Sequence, residues 1–330
     1  MPVTLVANRM ALPEENPMKT RVQSIFIAVA IIAAFAWAPE LIAQRGQGGA
    51  DQGAAAGQGR AGGRGGRGAN LPPAGPIPRL ANGKPDLSGL WANPYTPNMA
   101  GRGGAGALDP KTRAPLKFAR QGEALTGAGA PASGNQARTF DLPYTEWGLK
   151  QWIEYDPVKK GDYAGTCMPF GMSRNINSPH GVQVIHHPDA LAFLFEQNTW
   201  FHWVPLNPAF KWPDDLPETW NGLTTGRWDG DTLILTTSKF NGYTKLDTSG
   251  HPHSKQLTMI NTFKRLDSRS MEHTVTVRDP RAYTQEWMNV RTWNIKVASD
   301  VIMEYSCEEN NLDNIISGAI TRWTPPEDVD

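Results

Sequence analysis

The C-terminal half of the chain alternates apolar and polar residues with a period of two, which is the pattern of half-buried β-strands. The clearest hairpin is Trp220–Phe240, where the dipeptide Asp229-Gly230 accepts the positive φ angles of a type I′ turn. A second hairpin is predicted to pair Leu257–Lys264 with Met271–Val277. Both patterns indicate antiparallel pairing between strands that are neighbours in sequence.

The same period continues on both sides of these hairpins. Earlier strands are predicted at Gly181–His186, Leu191–Glu196 and Trp200–Leu206, and a later hairpin joins Arg291–Val297 to Val301–Cys307. With the two central hairpins they make nine consecutive strands, and no long amphipathic helix interrupts them. Because a meander of this length must protect its edges, the sequence predicts an all-β fold, an antiparallel up-and-down β-barrel of about 8–10 strands. A further short strand is expected within Asp86–Trp91.

The N-terminal region predicts export. Lys19 and Arg21 precede an apolar run over residues 25–38, and small residues follow it, as in a cleavable signal peptide spanning residues 1–43. Residues 1–17 are polar and broken by prolines, which favours Met18 as the true start. The run is shorter than the roughly 20 residues that span a bilayer, so cleavage is favoured over anchoring and no stable membrane span remains. The predicted location is therefore periplasmic or extracellular.

Composition changes sharply after this signal. Residues 44–84 are dominated by Gly, Arg, Ala, Gln and Pro, which predicts a disordered linker. Its Arg-Gly repeats would suit single-stranded RNA in an intracellular protein, but export removes that partner and the formal net charge is zero, so no nucleic-acid partner is predicted. Residues 85–330 form one predicted barrel domain, loop-rich over 98–138 and large enough for a single core.

The chain contains two cysteines, Cys167 and Cys307, which an oxidising compartment would allow to pair. A disulfide between them would close most of the domain into one loop and add on the order of 4 kcal/mol in the chain-entropy model. Two free thiols are the alternative. Neither cysteine has the Cys-x-x-Cys spacing of a redox or zinc site.

Five short motifs together resemble a group of uncharacterised exported bacterial proteins that is abundant in acidobacteria. They are Asp86–Trp91, Cys167–Gly171, Gly226–Leu233, Leu246–Ser254 and Cys307–Asn310. The resemblance covers nearly the whole chain after the linker. It implies export and a lipocalin-like, or calycin-like, β-barrel, and it brings no established activity.

This chain departs from the family pattern at three positions. His202 stands where relatives tend to carry Arg, Thr236 where they tend to carry Asp, and Asn261 in place of a common Glu. If those positions form a site in the family, its charges have been changed here.

Polar residues on inward faces are candidates for chemistry. Alternation places Asn261 and His273 on the apolar faces of their strands, where an imidazole could act as an acid or base and an amide could orient a ligand. The alternative is a structural polar group hydrogen-bonded to its surroundings. Glu196 and His202 fall on opposite faces of paired strands if Gln197-Asn198 forms the turn, so they are not expected to form an acid/base pair.

The densest set of reactive side chains is the loop Asp247–Ser254. It offers His253 for acid/base catalysis with Asp247, or Ser254 as a nucleophile, although no nucleophile elbow is present. It also offers His251 and His253 as metal ligands, with Asp247 as a third ligand. The sequence assigns no metal to this site. The alternative is a purely structural loop, in which the Asp and Ser side chains cap turns and the imidazoles are exposed or hydrogen-bonded to the backbone.

Aromatic residues favour a ligand cavity, although large rings that simply fill the core are the alternative. No Gly-rich phosphate loop links a strand to a helix, so no cofactor is predicted. The residues predicted to contact a ligand are Trp200, His202, Trp203, Trp228, Asn261 and Tyr305.

Three functions follow from the sequence. The first is binding of a hydrophobic or aromatic small molecule in an aromatic-lined cavity. The second is a cofactor-independent lyase, isomerase or hydratase that uses His253 or His273 with Glu196 or Asp247. The third is a structural protein of the cell envelope.

Overall fold

The computed structural model describes residues 73–101, 106–125, 138–157, 161–307, 316, 318 and 322–330. The predicted signal peptide and most of the predicted linker lie outside these residues. Within them the strands are β1 (Gly89–Ala92), β2 (Val182–His187), β3 (Ala190–Phe195), β4 (Phe201–Pro205), β5 (Leu223–Asp229), β6 (Thr232–Ser238), β7 (Thr258–Arg265), β8 (Ser270–Arg278) and β9 (Trp287–Ile295). The described helices are α1 (Glu146–Glu154) and α2 (Gly171–Ile176).

All nine strands belong to one sheet in the order β4-β3-β2-β1-β9-β8-β7-β6-β5, and each hydrogen-bonded pair is antiparallel. The strands follow the chain around a ring in which β9 returns to β1. An odd number of strands cannot alternate in direction all the way round, so β4 and β5 run parallel where the ring meets, and no ladder joins them among the described strands. The result is a nearly closed barrel, and the predicted all-β up-and-down architecture is confirmed.

Both central hairpins are confirmed. Asp229 pairs with Thr232, so the central residues of the first turn are Gly230 and Asp231, and of these only Gly230 has a positive φ, of 56°. A type I′ turn needs positive φ at both central residues, so the turn type predicted for Asp229-Gly230 is wrong; a glycine at the first central position is typical of type II′. The prediction for the last hairpin is wrong. Residues 301–307 form no strand, and the free edge of β9 is taken by β1, where Trp91 pairs with Ile295. Trp91 is completely buried, so this distant pairing secures a large apolar side chain in the core.

Aromatic and aliphatic side chains from alternate positions fill the barrel. On β7 the inward positions Met259, Asn261 and Phe263 are buried, and on β8 so are His273 and Val275, as the period-two pattern predicted. Each buried large apolar side chain contributes about 1.5–3 kcal/mol relative to exposure. The largest rings in the core are Trp91, Phe193, Phe195, Phe240, Phe263, Trp287 and Trp293.

Side chains bridge the seam between β4 and β5. His202 Nε2 on β4 hydrogen-bonds Thr224 Oγ1 on β5 at 2.6 Å, and Thr224 Oγ1 hydrogen-bonds Thr237 Oγ1 on β6 at 2.8 Å. All three side chains are buried. Burial lowers the pKa of His202 to about 4, so the imidazole is neutral at physiological pH. His202 is thus used to join the two parallel strands.

Replacing Thr224 with Val is expected to lower the free energy of unfolding by about 2 kcal/mol, because it leaves two buried polar groups without their partner. Thr236 on β6 is exposed and provides the matched control, T236V, for which we expect a change within about 0.5 kcal/mol. Urea denaturation of both variants measures the difference. Equal stabilities would show that the hydrogen-bonded seam contributes nothing.

The described end of the predicted linker contacts the barrel. The backbone N–H of Gly75 donates to Ser268 Oγ at 2.7 Å, and both terminal nitrogens of Arg79 donate to Asp231 in the β5–β6 turn. Lys84 donates to the carbonyl oxygen of Gly230 in the same turn. Contacts with the barrel therefore begin before residue 85.

Cys167 and Cys307 form the predicted disulfide, which joins positions separated by 140 residues. The bond ties the segment before α2 to the segment that follows β9. In the parts of the chain that are described, none of the helices combines the length and the apolar character needed to cross a bilayer.

Candidate functional site

His251, in the loop after β6, is held between two carboxylates. Its Nδ1 donates to Asp247 Oδ2 at 2.6 Å and its Nε2 donates to Asp141 Oδ2 at 3.0 Å, while its ring stacks on Trp152 of α1 at 4.4 Å. Burial opposes protonation of the imidazole, but the charges of Asp247 and Asp141 outweigh it and raise the pKa of His251 to about 10. His251 is therefore a buried cation that joins three separate segments.

The loop around His251 depends on one glycine and one multiply bonded carboxylate. Asp247 also accepts hydrogen bonds from the backbone N–H groups of Met99 and Gly250, at 2.7 and 3.1 Å. Gly250 has a φ of 96°, and a Cβ there would lie 1.9 Å from the ring of Tyr155. Only glycine fits this turn. Asp247 is thus committed to holding the loop closed.

His253 and Ser254 lie next to each other in sequence but have different partners. His253 donates from Nδ1 to the carbonyl oxygen of Ser254 and accepts from Thr244 Oγ1 at Nε2, at 3.1 and 2.6 Å. Burial lowers the pKa of His253 to about 4, so this imidazole is neutral. Ser254 Oγ donates to Asp279 at 2.9 Å. No Ser–His nucleophile pair forms.

The loop also brings no metal site together among the described residues. No group of three or more His, Cys, Asp or Glu side chains is arranged there to hold a metal ion. His251 and His253, the candidate ligands, each use both ring nitrogens for hydrogen bonds to the protein.

A row of polar side chains crosses the barrel interior. His273 on β8 donates from Nε2 to Asn261 Oδ1 on β7 at 2.9 Å and stacks flat on Phe263 at 4.4 Å. Burial, with the nearby charge of Arg291, holds the pKa of His273 well below its usual value, so the ring is neutral. Its Nδ1 and the Nδ2 atom of Asn261 have no hydrogen-bond partner in the described part of the chain.

Arg291 on β9 completes this row. It pairs directly with His273 across the β8–β9 ladder and is 5% exposed. Its Nη1 donates to Asn177 Oδ1, just after α2, whereas Nε and Nη2 find no acceptor among the described residues. Burial lowers the pKa of Arg291 to about 9, which still leaves the guanidinium charged at neutral pH. The barrel interior therefore contains a cation with two unused donors.

Most aromatic residues predicted to contact a ligand are spread over different parts of the barrel. Trp203 is 42% exposed and packs edge-on against Phe210 and Trp212 on the outer surface. Trp228 lies beside His186. These residues do not line one common cavity.

The remaining predicted residues are also separated. Trp200 is partly buried against the core, and Tyr305 is 39% exposed and packs against His180. Glu196 accepts from the backbone N–H of Gly181 at 3.0 Å, and Phe193 faces His202 as the turn predicted. Glu196 thus contributes to a strand connection, and whether any of these residues contacts a ligand stays a prediction.

A pocket that opens to solvent lies beside the barrel, between α1, the segment after β6 and the C-terminal segment; we call it the aromatic cavity after the four rings in its otherwise polar wall. Its volume is about 720 Å³. The ring of Trp323 approaches those of Tyr163 and Tyr243, at 6.1 and 6.2 Å between centroids. Charged side chains of both signs surround the aromatic wall. The cavity is lined by Lys150, Gln151, Glu154, Tyr155, Asp156, Gly161, Tyr163, Tyr243, Lys245, Arg322, Trp323, Thr324, Pro325, Pro326, Glu327 and Asp328.

Sequence reasoning missed Arg291 in the barrel interior, and it missed Tyr155 and Trp323 at the aromatic cavity. Arg291 alternates with Trp293 on β9, so its inward position was visible in the period-two pattern. Tyr155 and Trp323 belong to irregular segments far apart in sequence, and no local pattern indicates that they meet. Comparison of the chain with protein-family models, curated proteins and solved structures found no match.

Proposed function

We propose that the protein binds a small aromatic or otherwise planar molecule in the cavity lined by Tyr155, Tyr163, Tyr243 and Trp323. The observation that carries this proposal is the cavity itself, with a volume of about 720 Å³ and rings from three separate segments. Cavities of roughly 300–1,000 Å³ with aromatic walls and a few polar groups are typical small-molecule sites.

The wall combines stacking surfaces with fixed polar groups. Burial raises the pKa of the Tyr155 phenol well above its usual value, so the group stays protonated and can donate a hydrogen bond. The ammonium group of Lys245 lies 5.8 Å from the centre of the Tyr155 ring. Rings supply apolar contact area, and the charged side chains select the orientation of a polar substituent.

The acid/base alternative has less support. His251 and His253 use both ring nitrogens within the protein, and Asp247 is occupied by His251 and two backbone donors. His273 keeps one ring nitrogen unpartnered, but it lies in the barrel interior, away from the aromatic cavity, and no carboxylate is paired with it among the described residues. No observation brings an acid and a base together at an open surface, and binding is the better proposal.

We further propose that the binding domain is exported. The signal-like residues 1–43 motivate this, and the disulfide between Cys167 and Cys307 is consistent with an oxidising compartment. The resemblance to exported bacterial proteins has the same implication. N-terminal sequencing of the protein recovered from its host tests the proposal, and an intact residue 18 at the mature N-terminus would contradict it.

Fluorescence titration with the neutral probe N-phenyl-1-naphthylamine tests the binding proposal. Saturable binding is expected, and W323A should weaken it roughly 10-fold or more, because a ring of the wall is lost. W203A removes a tryptophan from the outer surface and should bind the probe like the wild type. Equal affinities for the two variants, or no saturable binding by the wild type, would contradict the proposal.

A further inference from the structure

We propose that the barrel interior holds a second site, for a small carboxylate, centred on Arg291. This site is separate from the aromatic cavity and does not depend on it. Arg291 is buried, yet its Nε and Nη2 atoms make no hydrogen bond within the described residues. A buried charge is strongly unfavourable unless it is paired and hydrogen-bonded, so the guanidinium requires an anion.

No carboxylate of the described chain fills this role. Asp247 is the acidic residue whose charge acts on Arg291, since it raises the arginine pKa against the effect of burial. However, Asp247 already accepts hydrogen bonds from His251 and from the backbone of Met99 and Gly250. Nη1 of Arg291 reaches only the neutral amide oxygen of Asn177. Arg291 therefore has nearby charge but lacks a hydrogen-bonded counterion.

The neighbours of Arg291 favour a carboxylate over an isolated water molecule. The unpartnered Nε and Nη2 atoms form the side of the guanidinium fork that matches two carboxylate oxygens. Asn261 Nδ2 on β7 is a further unused donor to a carboxylate, whereas His273 Nδ1 on β8 is an unused acceptor and needs a donor such as water. Water can satisfy these neutral atoms, but only an anion also neutralises Arg291. The rings of Phe263 and Trp293 around His273 provide apolar contacts for a short hydrocarbon group.

Thermal unfolding of the disulfide-bonded protein in acetate or acetamide tests this site. The two molecules have nearly the same shape, and only acetate carries the charge. At fixed pH and ionic strength, acetate should raise the unfolding midpoint of the wild type, and acetamide should not. R291M should lose the acetate response, with an apparent affinity at least roughly 10-fold weaker.

R278M is the matched control, because Arg278 lies on β8 and is paired with Glu286 at the surface. This variant should keep the full acetate response. Equal shifts with acetate and acetamide, or an acetate response that survives in R291M, would overturn the proposal. A long apolar side chain commonly replaces a buried charge without loss of folding. If R291M nevertheless fails to fold, the wild-type comparison of acetate with acetamide decides the question alone.

Discussion

Replacing Asp247 with Asn is expected to lower the free energy of unfolding by about 3–5 kcal/mol, because the change leaves a buried imidazolium with one carboxylate instead of two. His251 lies between Asp247 and Asp141, and Asp247 also anchors the backbone of Met99. D231N is the control, since Asp231 forms an exposed ion pair with Arg79. That variant should leave the urea midpoint nearly unchanged, because an exposed ion pair contributes little to stability. Urea denaturation at pH 7 measures both effects.

Because His251 is ion-paired, we also expect the protein to lose stability in alkaline solution. The pKa of His251 is about 10 in the folded protein and about 6.5 in an unfolded chain, so protonation stabilises the fold. This contribution is complete below pH 6.5 and is lost as the pH rises towards 10. D247N should lose much less stability than the wild type between pH 7 and pH 9.5. Parallel pH profiles for the two proteins would show that Asp247 does not hold the charge on His251.

The Asp247–Ser254 loop illustrates how far the sequence could predict the site. The local spacing of Asp247 and His251 marked them as partners in some chemistry. It could not reveal that Asp141, 110 positions away, would hold the other ring nitrogen. The same side chains suit a metal site, a catalytic pair or a structural ion pair, and only the distant contacts distinguish these possibilities.

The barrel shows the same division between local and distant information. Hairpins such as β7–β8 are encoded by alternation and turn residues, and the sequence predicted them with their inward faces. The pairing of β9 with β1 joins the last strand of the chain to the first, and the period of Val301–Cys307 wrongly suggested a nearer partner for β9. Period two identifies a strand but does not identify its neighbour. Non-local pairing depends instead on which strand buries its side chains best. Here β1 does so, because it buries Trp91 completely.

The histidines that drew most attention in the sequence serve largely to connect segments of the chain. His202 joins β4 to β5, His251 binds Asp141 and stacks on α1, and His253 accepts a hydrogen bond from Thr244. Binding is proposed instead for groups that contacts within the protein do not fully occupy. These are the unpaired donor atoms of Arg291 and the rings that face the cavity. Satisfied polar groups stabilise a structure, whereas unsatisfied ones remain available to a ligand.

Removing the disulfide is expected to lower the free energy of unfolding by about 4–5 kcal/mol. Cys167 and Cys307 are 140 positions apart, and a cross-link over so long a loop restricts the unfolded chain strongly in the chain-entropy model. Urea denaturation of the double variant C167S/C307S measures the loss. Wild-type protein kept in a thiol reductant should match the variant, because both lack only the covalent bond. A loss below about 1 kcal/mol would indicate that the unfolded state is constrained in some other way.

The bond should also affect the aromatic cavity before the barrel unfolds. Cys307 Sγ lies 3.8 Å from the carbonyl oxygen of Ala164, next to Tyr163 in the cavity wall. The disulfide therefore holds residue 307 against the segment that carries Tyr163. Without it, affinity for N-phenyl-1-naphthylamine should fall several-fold in conditions where circular dichroism still reports a folded barrel, because the binding surface must then be ordered at the expense of binding energy. Unchanged affinity would show that the disulfide contributes to global stability but does not shape the aromatic cavity.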